Sequence, residues 1–272
     1  MKKTIGLIVA MDKELSLFID NNPLVSIENK RGCFDFYITN VNDNVLVIAK
    51  SGIGKVNSAL CVATMINEYH PDYIISSGVC GTLRKQDVLP GDFVIAEEIR
   101  YHDVWCGKPN LWGQVQDMPA SYYCEPIDLY KLPDKYKYHR GLMISGDWFV
   151  DDSEKAFSLS SFNSNGIDME SGSIAQTCYR YEVPLISVRI VSDAILNPEA
   201  KPYDEFWNIA PTMLNDVVIC VIEQLYKEMD KKEAIDVLKA FADHEKYTGF
   251  YSNATREEVD AMEYAIKYME NH

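Results

Sequence analysis

Short apolar runs rich in β-branched residues recur along the chain at Ile5–Ala10, Val45–Ala49, Tyr73–Ile75, Phe93–Ala96, Leu142–Ile144 and Leu185–Val191. Runs of this length and composition predict buried strands. Between them the period lengthens to that of a helix. Val56, Leu60, Ala63, Met65 and Ile66 carry helical spacing within residues 55–69, and Ile174, Cys178 and Tyr181 do so within 171–182. Alternating strands and helices predict the α/β class, with a mostly parallel sheet covered by helices and a hairpin of Phe34–Ile38 with Val45–Ala49 mixed into it.

From Asp204 to about residue 230 the helical spacing returns, with Phe206, Ile209, Met213, Val217, Cys220 and Leu225 near one face. Ala234–Ala242 repeats it, and Thr255-Arg-Glu-Glu258 is a capping-box pattern opening a last helix with Val259, Met262, Ile266 and Met269. The expected organisation is one α/β domain over residues 1–230 and a helical C-terminal extension, 231–272, packed on it. Segment 104–138 holds Trp105, Trp112, Pro109, Pro119, Pro126 and Pro133 with little periodicity, so it predicts a long loop around a short element.

Composition narrows the function. Of 272 residues, 26 are Lys or Arg and 41 Asp or Glu, a formal net charge of −15. That balance argues against a nucleic-acid partner, whose affinity comes from clustered cations, and against anionic membrane surfaces. No apolar run approaches the roughly 20 residues that cross a bilayer, and the start turns charged too soon for a secretory segment, so a cytoplasmic location is expected. The cysteines (Cys33, Cys61, Cys80, Cys106, Cys124, Cys178, Cys220) are odd in number and lack Cys-x-x-Cys spacing, which reads as free thiols. The histidines (His70, His102, His139, His244, His272) show no metal-ligand spacing, so neither metal nor cofactor is expected.

Three acids stand at or just past the C-terminal ends of apolar runs, where open α/β sheets place their ligands: Glu14, Glu170 and Asp193. Any one alone reads as a helix-capping acid; together they point to a site. Two Gly-rich turns, Ser51-Gly-Ile-Gly-Lys55 and Ser77-Gly-Val-Cys-Gly-Thr82, leave backbone N–H groups free for a ligand oxygen. Neither has the spacing of a Walker loop or of a dinucleotide fingerprint.

Ile5-Gly-Leu-Ile-Val-Ala-Met-Asp-Lys-Glu14, Ser51-Gly-Ile-Gly-Lys-Val56, Arg100-Tyr-His-Asp103, Ser145-Gly-Asp147, Asp168-Met-Glu170 and Arg189-Ile-Val-Ser-Asp193 occur together and in order. In combination, over roughly residues 4 to 228, they resemble the methylthioadenosine/S-adenosylhomocysteine nucleosidase family of the purine nucleoside phosphorylase superfamily. The resemblance implies a single α/β domain with a twisted central mixed sheet flanked by helices, and a homodimer. It also implies a small nucleoside substrate: a 5′-substituted adenine nucleoside whose N-glycosidic bond is hydrolysed to adenine and the thioribose. It assigns Glu14 to water activation, Asp193 to protonation of purine N7, and Arg189 to ordering the water and the acids. It places Glu170 on the ribose hydroxyls, Met169 beneath the sugar, Phe149 on the base, Val150 at the purine edge and Ser192 beside the acid. Met11, Ile53 and Tyr203 fall at the 5′-substituent pocket, and Val79 stands where a small polar residue is common in the Gly-rich turn. Asp168 replaces the usual glutamate, Trp148 a small residue and Tyr203 a phenylalanine, and loop 104–125 does not match.

These residue types suit the chemistry. An N-glycosidic bond breaks through an oxocarbenium-like state whose leaving purine must be neutralised, so one carboxyl holds a proton while another stays ionised to take one from water. The alternatives are a nucleosidase for another 5′-modified purine nucleoside such as a futalosine, and a phosphate-dependent phosphorylase, which needs an arginine cluster at an anion site. No such cluster is evident beyond Arg84, and Glu14 would repel phosphate. A non-catalytic nucleoside binder has no use for the three acids together. His102 reads as a structural hydrogen-bonding residue and Cys80 as a small core residue.

Overall fold

The first apolar run is β1 (Thr4–Val9), which pairs in parallel with β4 (Asn44–Lys50) on one side and β5 (Tyr73–Thr82) on the other. A strand covered on both faces has no reason to alternate, which is why Ile5, Leu7, Ile8 and Val9 are all buried. The computed structural model describes residues 3–20, 26–31, 34–41, 44–83, 87–196, 209–247 and 256–271. Beyond β4, the antiparallel strands β3 (Phe34–Val41) and β2 (Ser26–Arg31) continue the sheet, so the expected hairpin is present.

On the other side the sheet curls round on itself. β5 pairs in parallel with β10 (Leu185–Ala194), and β10 is antiparallel to β6 (Phe93–Tyr101). β6 is parallel to β8 (Tyr138–Ser145), β8 is parallel to β9 (Gly166–Asp168), and β9 returns to β5 through Gly81 and Ile167. A two-residue strand, β7 (Tyr122–Tyr123), adds to β6. The sheet is therefore evenly mixed rather than mostly parallel, because β2, β3 and β7 join by hairpin-type pairing and β10 meets β6 head to tail.

The helices are α1 (Asp12–Asp20), α2 (Lys55–Tyr69), α3 (Ser153–Leu159) and α4 (Ser171–Tyr181). α2 corrects the expected face: Ser58, Cys61, Val62, Met65 and Ile66 are buried, whereas Val56 and Leu60 are exposed. Ser58 can face inward because its hydroxyl meets that of Ser173 on α4 at 2.6 Å, leaving no unpaired polar atom there. Segment 104–138 is a long connection holding β7 and one short 3₁₀ turn, Leu129–Lys131, as expected.

At the C-terminus α5 (Ala210–Tyr247) is one continuous helix where a break near residue 230 was expected. No glycine or proline lies between Thr212 and Tyr247, and Lys231-Lys232-Glu233-Ala234 are good helix formers. The helix start at Asp204 with Phe206, and the cap at Thr255, lie outside the described residues. α6 (Arg256–Asn271) follows. By its contacts the chain divides into Met1–Val221 and Ile222–His272, a division inside α5. In the second unit Ile235, Ile266 and Met269 cluster, and Lys239 pairs with Glu270. Among the described residues no helix is long and apolar enough to cross a membrane.

Candidate active site

The strand ends converge on one cleft, a concave and mostly apolar site with a few convergent polar groups. Glu14 enters it from the first turn of α1 and is only 2% exposed. Its Oε2 accepts the backbone N–H groups of Ala10 and Met11, both at 2.9 Å, and its Oε1 accepts that of Val79 at 3.0 Å. Position 79 thus supplies its donor from the backbone, and its apolar side chain lines the cleft. Gly78 has φ +151°, and a Cβ there would come within 2.5 Å of Arg189 Nη1 and 2.6 Å of Glu14 Oε1. Both charged groups crowd the space above one Cα, which leaves room only for glycine.

Asp193 reaches the cleft through a β-bulge. Along β10, Val191 pairs with Cys80 and Asp193 with Gly81, so Ser192 is the extra residue and the alternation of the strand shifts by one. Asp193 Oδ2 would stand 3.1 Å from a Cβ on Gly81. Ser192 Oγ lies 2.6 Å from Asp193 Oδ1 and 3.1 Å from the Cys80 carbonyl. Glu14 packs at Gly78 and Asp193 at Gly81, three residues further along β5, and both carboxyls line the same cleft.

Glu170 opens α4, and its Oε1 accepts the N–H of Gly54 at 3.0 Å, at the N-terminus of α2. The next N–H of α2, Lys55, goes to Asp147 Oδ1 at 2.7 Å, and Lys55 Nζ pairs with Asp103 at 2.8 Å. Asp103 Oδ2 also accepts the N–H of Asp147 at 2.8 Å. Asp147 thereby ties the segment carrying Trp148, Phe149 and Val150 to the start of α2.

Arg189 is 2% exposed, and its Nη2 donates to Ser76 Oγ (2.9 Å) and Ser171 Oγ (3.1 Å) and pairs with Asp168 Oδ2 at 2.8 Å. Burial pulls its pKa down, but Asp168, Glu170 and Glu14 together more than reverse this and raise it. Burial raises the Glu14 carboxyl, opposed by Arg189 and by its three backbone donors. Glu170 is pushed up to about 7 by burial and then by Asp168, against Arg189 and the Gly54 N–H. Burial raises Asp193 too, opposed only by the Ser192 hydroxyl.

The structure brings Glu14, Asp193, Glu170, Met169, Phe149, Val150, Ser192, Met11, Ile53 and Val79 to this one cleft, with Arg189 directly behind it. Tyr203 and Arg84 lie outside the described residues. Cys80 is buried in the core as expected and also borders the cleft, and Trp148, Ile167 and Ile195 line it as well. Ile167 and Ile195 carried no sequence signal, being apolar residues beside strand ends like many others. His102 departs from its expected role. It bonds through its backbone, to Ser145 O at 3.0 Å and from Trp112 Nε1 at 2.8 Å, and neither ring nitrogen has a partner among the described residues.

With this geometry in hand, the chain matches the family described as the Phosphorylase superfamily over residues 4–223. It is 33% identical over 237 residues to the 5′-methylthioadenosine/S-adenosylhomocysteine nucleosidase of Buchnera aphidicola subsp. Baizongia pistaciae (82% of this chain, 91% of that one). It is 33% identical over 232 residues to the enzyme of the same name from an Exiguobacterium species (81% and 98%). Its fold resembles the Neisseria meningitidis nucleosidase crystallised with methylthio-immucillin-A, with TM-score 0.74 and 31% identity over 81% of this chain and 98% of that one. The chain belongs to the methylthioadenosine/S-adenosylhomocysteine nucleosidase family within that superfamily.

Proposed function

We propose that this enzyme hydrolyses the N-glycosidic bond of 5′-substituted adenine nucleosides, methylthioadenosine and S-adenosylhomocysteine, releasing adenine and the thioribose. The observation that carries the reading is the cleft's charge. Four carboxyl residues line it (Glu14, Asp168, Glu170, Asp193), and no Lys, Arg or His is among its described lining residues. A developing ribosyl cation is stabilised there, whereas a phosphate acceptor meets repulsion. Among the described residues the one buried cation nearby, Arg189, already has Nη2 committed to Asp168 and two serines.

In the proposed reaction Asp193 gives its proton to N7 as the bond from C1′ to N9 breaks. Water adds to C1′ and passes its proton to Glu14. Ser192 serves both states of Asp193: its hydroxyl donates to the ionised carboxylate, or turns to the Cys80 carbonyl and accepts from the protonated acid. Glu170 holds the ribose hydroxyls, Met169 packs beneath the sugar, Phe149 covers the base and Val150 meets its edge. Met11 and Ile53 take the 5′ group.

Adenine release from both nucleosides in phosphate-free buffer tests the reading. Full turnover without phosphate and no ribose 1-phosphate on adding it are expected; phosphate-dependent release overturns it. The enzyme is further proposed to act as a cytoplasmic homodimer. Supporting this, Val56 and Leu60 on α2 are exposed and line a groove with Ala63 and with Tyr181 of α4, a face suited to a second copy. Light scattering is expected to give twice the chain mass, and V56E/L60E to give the monomer.

A further inference from the structure

We propose that Asp168 and Ser171 are positioning residues that hold Arg189 by its Nη2 end and so keep its charge from pairing directly with Glu14. Asp168 stands at the end of β9 with its side chain 2% exposed. Its Oδ1 accepts the N–H groups of Glu170 (3.3 Å) and Ser171 (3.1 Å), which anchors it to the start of α4. Its Oδ2 takes the Arg189 ion pair at 2.8 Å and a short hydrogen bond from Ser171 Oγ. Ser171 Oγ donates to Asp168 and accepts from Arg189, which closes a triangle of buried groups. Ser76, on β5, takes a further Nη2 contact at 2.9 Å.

The other end of the guanidinium, Nη1, points at the same space above Gly78 as Glu14 Oε1. Among the described residues, however, the ion pair of Arg189 is with Asp168 and not with Glu14. Asp168, Glu170 and Glu14 all act on this one cation, and the anchored Asp168 holds its ion pair. Were Arg189 to swing onto Glu14, the ion pair would favour the carboxylate and weaken it as a base. The other ionisable groups around Glu14 are Glu170 from α4, Asp193 from β10 and Cys80 from β5.

The effect on catalysis rests on the proposed hydrolysis; the effect on the Glu14 proton does not, and the experiment reads the two separately. Carboxyl ¹³C NMR titration of Glu14, assigned with Glu14→Gln, is run on the wild type, Ser171→Ala, Asp168→Asn and Asp168→Glu. Asp168→Asn is expected to lower the Glu14 midpoint by about one pH unit, as an opposite charge gained at close range does. Ser171→Ala alters no charge and only loosens the hold on Arg189, so a downward shift of a few tenths is specific to that hold. Asp168→Glu keeps the charge and is expected to stay near wild type. The acid limb of kcat for adenine release follows the midpoint, with kcat lower by about tenfold in Asp168→Asn. An unmoved Glu14 midpoint in Ser171→Ala overturns the proposal even if Asp168→Asn shifts it, since loss of the Asp168 charge alone lowers a neighbouring carboxyl; the same shift in Asp168→Glu as in Asp168→Asn overturns it too. A wild type that releases no adenine overturns the function instead.

Discussion

Glu14 and Asp193 are both buried carboxyls, and their partners separate their roles. Glu14 meets three backbone N–H donors and the field of Arg189, all of which favour the ionised form, whereas Asp193 meets one serine hydroxyl. With burial acting on both, the less supported carboxyl is the one that keeps its proton. Asp193→Asn and Glu14→Gln are each expected to lower kcat by about 10²- to 10⁴-fold with KM changed far less, read by adenine release. Glu170 leads to a different test, in stability. Its folded-state pKa, about 7, lies above its ordinary value, so the folded protein binds the extra proton. Its contribution is complete below the ordinary glutamate range and is lost as pH rises to about 7. Between pH 4.5 and 7.5 the Tm of ligand-free wild type is therefore expected to fall relative to that of Glu170→Gln, and parallel curves would remove the assignment.

At the scale of elements, the site is assembled where helices begin. The first N–H groups of α2 are taken by Glu170 and Asp147, two carboxylates from distant parts of the chain that meet at one positive helix end. Because Asp147 fixes the segment bearing Trp148, Phe149 and Val150, Asp147→Ala is expected to raise KM about tenfold while changing kcat little, in steady-state kinetics. The strands β1, β5, β6, β8 and β10 were legible because each is a buried apolar run, and Glu14, Glu170 and Asp193 because each follows one. The inward face of α2 was not. Val56 and Leu60 have helical spacing, but apolar spacing does not distinguish a face turned to the core from one left exposed, and a paired serine could replace an apolar residue inside. The continuity of α5 across residue 230 was hidden for a related reason, since its second half changes surroundings without any breaker residue. The bulge at Ser192 left no mark in the sequence, although it sets which way Asp193 points.

At the scale of the molecule, the strands β5, β10, β6, β8 and β9 return to their starting point, and the offsets between neighbours must cancel on completing the circuit. A strand in an open sheet can slide by a residue and leave the mismatch at a free edge; a strand in this circuit has no such outlet. The register shifts at Ser192 and at Glu97 are where the count is reconciled. A single inserted codon in Phe93–Ala96 or Leu185–Val191 is therefore expected to abolish soluble expression, while one between β2 and β3 is tolerated, and an insertion scan read by soluble yield checks it. Divergence in this enzyme is channelled accordingly: its lengths are free to drift only in the connections, and within the circuit new properties have to arise by exchanging side chains.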